Sequence, residues 1–517
     1  MISITILDRE KRVNMELGQG ESLMSALIRL NEGIGAYCGG RGICGKCRIK
    51  LVEGDILPSM EDKRFFSEED LWKGYRLACT AYPNQNCTIR LCMEKEQEIE
   101  VVTEGITQNG EIAIRNSGFY GIAVDIGTTT IAMQLVEEGT NRILSTYTGL
   151  NPQRSYGADV INRIQAANNG KGSELKKLIC DAMECGFHTM LSEYGCSSDK
   201  VKQVIISANT TMVHLLMGYP CENLGVSPFE PYNIKTIKTA IRKVIANSLL
   251  DCEIRVIPGI STFVGGDIVS GLQYCHLTEQ EKPVLFIDLG TNGEMAVGNK
   301  DKLIVTSVAA GPAFEGGNLS CGVGSIPGAI SSVTMEKGEV VKIETLRGKR
   351  PVGICGTGVI EAVAELVKEE LIDETGLLED QLFEDGVVLA TRQDGRDIVL
   401  TQKDIREIQL AKSAIRSGIE VLLMRYGTCY DDIERVYLAG GFGYHMDPKK
   451  MIRIGMLPVE LENKTVTVGN SSLGGAKNVL FDGFSWDHLE TIAKRGEEIN
   501  LATDKMFQEK YMEYLYF

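Results

Sequence analysis

The chain has 517 residues with 54 Lys and Arg against 70 Asp and Glu, a formal charge of −16. That length holds two to four domains, and the acidic balance excludes non-specific nucleic-acid binding. No stretch approaches an uninterrupted apolar twenty-mer, so no transmembrane helix and no membrane partner are expected. The first residues, MISITILDREKRVNMEL, alternate like a β-hairpin rather than a signal peptide. With that start, 15 cysteines predict a reducing, cytoplasmic setting in which thiols bind metal in preference to forming disulfides.

After the hairpin, residues 21–30 (ESLMSALIRL) carry apolar residues at helical spacing. The run AYCGGRGICGKCRIKL then places Cys38, Cys44 and Cys47 as C-x5-C-x2-C, with Gly39, Gly40, Gly42 and Gly45 between and around them; Cys79 follows in GYRLACTAY. An iron–sulfur cluster needs three thiolates close together, a fourth from a separate strand, and glycines that let loop amides turn inward toward the sulfides. The pattern predicts a 2Fe–2S cluster on Cys38, Cys44, Cys47 and Cys79. A structural zinc site is the alternative, but zinc prefers paired C-x2-C hooks and only Cys44 and Cys47 form one. Cys87 and Cys92 are expected in the closing strand. This region resembles the vertebrate- or bacterial-type 2Fe–2S ferredoxins of β-grasp fold, which have a longer loop between the first two cysteines than the plant type. The resemblance implies a one-electron carrier over residues 1–98. Residues 99–118 read as a polar linker with some strand character.

Residues 120–134, YGIAVDIGTTTIAMQ, are an apolar run ending at Asp125, a turn at Gly127 with Thr128, Thr129 and Thr130, and an apolar return. Such a hairpin offers amides and hydroxyls to phosphate oxygens and a strand-end carboxylate to a metal-bound water. In residues 151–170, Arg154 and Asp159 are either site residues or parts of a capped helix. Asn209, Thr210 and Thr211 stand at a strand-to-helix turn, as ligand contacts or as a cap. His214, on an apolar face, is expected to be a satisfied core histidine. FVGGDIVSG repeats the strand–turn–helix pattern, with Gly265, Gly266 and Asp267 at a cleft floor or a packing turn.

Residues 284–294, VLFIDLGTNGE, then repeat the hairpin: apolar run, Asp288, and a turn of Gly290, Thr291, Asn292 and Gly293. Two such hairpins predict a duplicated α/β fold that clamps nucleotide phosphates, with ATP and Mg2+ as cofactors. SVAAGPAFEGGN brings Glu315 beside the second hairpin, where a carboxylate can position metal or water. GICGTGVIEAVAEL is a glycine turn entering a helix, and Gly356 and Gly358 are candidate nucleotide contacts at its N-terminus. Residues 401–423 form a long amphipathic helix, with Lys412 reaching the cleft or solvated. In VYLAGGFGYHMDP, Gly440 and Gly441 clear space for a flat adenine. VTVGNSSLGGAKNVL is another strand–turn–helix.

The second region resembles the acetate and sugar kinase, heat-shock 70 and actin superfamily, whose two phosphate hairpins and adenosine motif stand here in the same order. The resemblance implies a ribonuclease-H-like, actin-like ATPase in two halves, residues 119–280 and 281–517. A ferredoxin placed ahead of DIGTTT, DLGTNGE, AGPAFEG, GICGTG, LTQKDIREIQLAK and AGGFG is more specific still. It resembles the reductive activators of corrinoid-dependent enzymes over nearly the whole chain. That implies ATP-dependent one-electron reduction of a cob(II) cofactor to cob(I), with Asp125, Asp288 and Glu315 as catalytic candidates. The implied partners are a corrinoid protein of a methyltransferase or O-demethylase system and a low-potential electron donor, with a homodimer as the family's hint. Two other readings are a small-molecule kinase with an added electron-transfer domain, and a non-enzymatic carrier whose ATPase-like part only docks. ATP turnover without a phosphorylated acceptor distinguishes the first; nucleotide binding distinguishes the second.

Overall fold

Period-two patterning sets up the N-terminal sheet. β1 (Ile2–Asp8) buries Ile4 and Ile6, and β2 (Lys11–Leu17) buries Met15 and Leu17. The two pair antiparallel with Ile4 opposite Met15, so the four side chains share one face. α1 (Leu23–Arg29), β3 (Arg48–Glu53), the short helices α2 (Asp62–Phe65) and α3 (Glu68–Trp72), β4 (Tyr75–Leu77) and β5 (Cys87–Leu91) follow. β5 joins β1 in parallel, giving the mixed sheet order β2-β1-β5-β3-β4. Leu23 and Leu27 of α1 pack into one core with Ile49, Leu77 and Ile89. This is the β-grasp arrangement expected from the sequence.

The computed structural model describes residues 2–8, 11–18, 20–29, 40, 42, 45–92, 118–393, 395–440, 446–482 and 484–517. Cys38, Cys44, Gly441 and the expected linker up to residue 117 lie outside them. Two compact units divide the chain: Met1–Gln97 with Asn151–Ala182 and Leu215–Pro228, and Glu98–Leu150 with Met183–His214 and Phe229–Phe517. Among the described residues no helix is long and apolar enough to cross a membrane.

Beyond the ferredoxin-like sheet the chain builds one pattern twice. β6 (Tyr120–Ile126), β7 (Thr130–Glu137) and β8 (Ile143–Leu150) form an antiparallel meander. After α4 (Val160–Ala166) and α5 (Gly172–Tyr194), β9 (Val201–Ala208) lies parallel to β6. α6 (Thr210–Met217), β10 (Ile237–Ala240), β11 (Glu253–Val256) and α7 (Gly266–Tyr274) complete the sheet β10-β11-β9-β6-β7-β8 and the helix behind it.

The second copy begins with the meander β12 (Val284–Leu289), β13 (Gly293–Gly298) and β14 (Leu303–Val308). An inserted layer follows: β15 (Ala329–Glu336), β16 (Glu339–Thr345), β17 (Gly353–Ile354), α8 (Gly356–Lys368), α9 (Asp380–Phe383), β18 (Val387–Thr391) and β19 (Asp397–Leu400). α10 (Gln402–Tyr426) starts at a capping box between Thr401 and Asp404. β20 (Arg435–Ala439) then lies parallel to β12, and β21 (Thr465–Gly469) parallel to β20, around α11 (Pro448–Arg453). α12 (Ser471–Asn478), α13 (Phe484–Arg495), β22 (Glu497–Glu498) and α14 (Lys505–Glu513) end the chain, and the sheet order is β21-β20-β12-β13-β14-β22.

The two copies meet where α7 crosses α12. Val269 and Leu272 of α7 share a core with Phe286 of β12 and with Leu473 and Ala476 of α12. Small residues make the crossing tight: a Cβ on Gly475 would collide with the Ser270 carbonyl oxygen, and the Ser270 hydroxyl donates to the Ser472 carbonyl at 2.7 Å. Lys412 departs from both expectations for it. The α10 face that carries it is covered, so Lys412 is neither in a cleft nor solvated. It is fully buried, donates to the Tyr516 carbonyl, and its ammonium sits 4.7 Å from the Phe517 ring.

Candidate functional site

Two of the predicted cluster ligands are brought together by strand register. β3 and β4 pair with Arg48 opposite Leu77, and the Ala78 amide donates to the Cys47 carbonyl at 2.8 Å. Cys47 and Cys79 are therefore neighbours, with Sγ atoms 3.3 Å apart, both buried. Thiolates sharing one tetrahedral metal at ~2.3 Å stand about 3.7 Å apart, so this pair fits a shared iron. Gly45 lies on the Phe65 ring, with no room for a side chain between them. Cys87 is buried in β5, and Cys92 follows at its exposed end. Cys38 and Cys44 are outside the described residues.

The phosphate hairpins are closed by their own backbones. The Gly127 amide donates to the Thr130 carbonyl, and the Gly290 amide to the Asn292 carbonyl, each at 2.9 Å. Glu315, at the end of a short helical turn (Pro312–Glu315), joins the two: its carboxylate accepts from Thr129 at 3.1 Å and from Thr291 at 2.8 Å. Asn209 caps the start of α6 by accepting from the Met212 amide at 2.9 Å and turns its amide nitrogen to Thr128 at 3.1 Å. The capping reading of that turn is realised, and the same side chain reaches the first hairpin. Asp159 caps α4, accepting from the Asn162 amide at 2.8 Å.

The strand-end carboxylates are held differently. Asp125 accepts from Asn470 at 2.9 Å and from Ser472 at 2.7 Å, both from the start of α12. Asp288 faces Gly440, whose φ of +97° belongs to the left-handed region and whose missing Cβ leaves room for the Leu289 carbonyl and the Asp288 carboxylate. Gly356 and Gly358 seat the start of α8 on the Phe314 and Ile330 carbonyls, which places that helix N-terminus one residue from Glu315. Gly293 lies over Ile415 of α10.

Electrostatically the site is a set of half-buried acids crowded together. Burial, then repulsion from Asp125, pushes Asp267 up to about 7. Burial, then Asp267 and Asp125, pushes Asp288 up to about 8. Glu294 is raised well above the usual carboxylate range by burial, then by Asp267 and Asp288, against donors on Asn292 and Ser307. Asp125 is raised by burial and lowered by Ser472 and Asn470. Oxygen donors in this state suit a hard cation, whose charge restores the ionised forms. Among the described residues no three His, Cys, Asp or Glu side chains are arranged to hold a metal alone.

Sequence reasoning missed Asn470 and Ser472. Their signal was an Asn-Ser-Ser at a strand-to-helix turn, the same chemistry as Asn209-Thr210-Thr211.

His214 is a satisfied core histidine. It is fully buried, its Nδ1–H donates to the Thr210 carbonyl at 2.7 Å, and its Nε2 accepts from the Tyr232 amide at 3.0 Å.

Comparison with known proteins gives the family. Residues 6–84 match the 2Fe–2S iron–sulfur cluster binding domain, residues 120–280 the RACo middle region, and residues 282–517 the C-terminal domain of RACo, the ASKHA domain. The corrinoid activation enzyme RamQ of Eubacterium limosum is 33% identical over 419 residues, covering 76% of this chain and 69% of that protein. The [Co(II) methylated amine-specific corrinoid protein] reductase of Methanosarcina barkeri is 28% identical, over 76% of each chain. A solved structure, the reductive activator for corrinoid, iron–sulfur protein, superposes with a TM-score of 0.71 at 26% identity, over 100% of this chain and 98% of that one. The paired hairpins, the converging thiols and these matches agree: the chain belongs to the family of reductive activators of corrinoid proteins, a 2Fe–2S ferredoxin domain followed by an ASKHA domain.

Proposed function

We propose that this protein reactivates a corrinoid protein by ATP-dependent one-electron reduction, from cob(II) to cob(I). Cys38, Cys44, Cys47 and Cys79 would hold a 2Fe–2S cluster, which supplies a one-electron reductant when bound. Asp125 and Asp288 would hold Mg2+ or its waters beside the nucleotide phosphates, and Mg2+ supplies charge neutralisation there. Thr128, Thr129, Thr130, Thr291 and Asn292 present hydroxyls and amides to the phosphates, with Gly127 and Gly290 at the turns. Gly440 and Gly441 border the adenine, and Gly356 and Gly358 bring the α8 N-terminus to the nucleotide. Glu315 positions water. The domain division follows the same reading: residues 1–98 carry the cluster, 99–118 link, and 119–280 with 281–517 form the nucleotide cleft.

The observation that carries the ATP reading is the Glu315 carboxylate. It takes one hydroxyl from each hairpin, Thr129 and Thr291, so the two turns stand within reach of one group. The experiment is ATP turnover by the cluster-loaded protein. Asp125→Asn and Asp288→Asn each lower it about a hundredfold, ~2.7 kcal/mol in barrier, with the visible spectrum unchanged. Conversely, Cys47→Ser and Cys79→Ser lose or alter the visible absorption while Cys87→Ser keeps it. Unchanged hydrolysis in both Asp→Asn variants sinks the nucleotide assignment.

A further inference from the structure

Asp125 ends the first strand of the first copy, yet both of its carboxylate oxygens are held by the second copy. Asn470 donates to Oδ2 at 2.9 Å and Ser472 to Oδ1 at 2.7 Å. The Asn470 orientation is fixed by its other end. Its Oδ1 accepts from the Leu473 amide at 2.8 Å as the cap of α12, so its NH2 must face Asp125; a flipped amide would set oxygen against oxygen and nitrogen against an amide. Ser472 is buried, and its hydroxyl also lies 2.8 Å from the Ser207 hydroxyl at the end of β9. Ser207 is 3.2 Å from the Gly266 carbonyl, a longer link. Ser472 has one proton for two acceptors, the Ser207 hydroxyl and the Asp125 carboxylate, and the carboxylate is the stronger when ionised.

We propose that Asn470 and Ser472 are positioning residues for Asp125: the start of α12, from the second copy, aims the carboxylate of the first phosphate hairpin. This rests on the reading of Asp125 as a nucleotide-site carboxylate. The seat of α12 is set by packing, since Gly475 lies on the Ser270 carbonyl and the Ser270 hydroxyl holds the Ser472 carbonyl. That packing fixes the donors relative to Asp125. These residues orient the carboxylate, so they act on the turnover step and little on nucleotide binding.

The test uses the full-length, cluster-loaded protein and steady-state MgATP hydrolysis, with thermal melting alongside. Asn470→Ser keeps a capping oxygen for α12 and removes the donor to Asp125, which separates the structural role from the positioning role. It lowers kcat about tenfold, the effect of one hydrogen bond to a charged group, with the ATP KM within about twofold and the melting temperature unchanged. Ser472→Ala does the same, and Ser472→Thr, which keeps the hydroxyl, recovers kcat. The proposal is overturned if Asn470→Ser and Ser472→Ala turn over ATP at the wild-type kcat, or if kcat falls only in step with melting. If Asp125→Asn lowers turnover while these variants keep the wild-type kcat, this inference fails and the ATP reading stands. If Asp125→Asn keeps full turnover, Asp125 is not a nucleotide-site carboxylate and this inference fails with it; the ATP reading falls as well if Asp288→Asn also keeps full turnover.

Discussion

Asp267 and Asp288 keep protons at pH values where an ordinary carboxyl has lost them. Burial and mutual repulsion push them up to about 7 and about 8, against roughly 3.9 for an unfolded Asp. Between those values the folded chain binds more protons than the unfolded one, so unfolding releases protons and stability falls as pH rises. Below the ordinary carboxylate range both states are protonated and the contribution is flat. The nucleotide-free protein should therefore melt at progressively lower temperature from pH 5 to pH 8.5. Asp288→Asn removes one such group, and its melting curve should fall less steeply and cross above wild type at the alkaline end. Circular-dichroism melts across that range read the difference; parallel slopes for the two proteins would exclude the buried-acid account. Bound Mg2+ should reduce the slope in wild type, because a cation favours the ionised carboxylates.

At the scale of elements, the α7–α12 crossing depends on the absence of side chains. Gly475→Ala forces a methyl group onto the Ser270 carbonyl, and overpacking of this kind costs about 1–3 kcal/mol. Melting should show that loss, with the cluster absorption untouched; a variant as stable as wild type would mean the helices separate easily. Much of this architecture was legible in the chain. The period-two runs announced β1 and β2, the continuous apolar runs announced β6 and β12, and the repeated turn after Asp125 and Asp288 announced the duplication, because each signal lies within one short stretch. The cysteine spacing announced the sheet corner where Cys47 meets Cys79. The illegible part is made of long-range pairs. Asn470 and Ser472 lie 345 and 347 residues from Asp125, and no local periodicity records which strand-to-helix turn will face which hairpin. Lys412 was misread for the same reason: an amphipathic pattern shows that one helix face is polar, not that the segment near Tyr516 and Phe517 will cover it. The GICGTG turn announced a helix N-terminus, but not that Gly356 and Gly358 would also seat it on the Phe314 and Ile330 carbonyls of the same chain.

For the whole molecule, the proposed function raises the question why one chain would join an electron carrier to a nucleotide cleft. An electron moved against a gap of 100 mV is uphill by about 2.3 kcal/mol, so a cluster alone leaves only a small fraction of the acceptor reduced. ATP changes that outcome only if the two states of the ATPase bind the corrinoid partner, or its two oxidation states, with different affinity; equal affinity shifts nothing. A gap of this size needs a differential of about fiftyfold, inside the range of ordinary coupling energies. Linkage then makes the effect reciprocal: a partner whose affinity responds to nucleotide must change nucleotide binding in return, and turnover is the practical readout. The expected result is that the cob(II) form of the cognate corrinoid protein raises ATP hydrolysis by this protein, and the methylated or cob(I) form does not. Asp288→Asn, with its cluster intact and reducible by a chemical donor, should fail to convert cob(II) to cob(I) in the presence of ATP, followed in the corrinoid absorption spectrum. If Asp288→Asn reduces the corrinoid at the wild-type rate, ATP is not coupled to electron transfer, and the ASKHA domain serves only to dock the partner.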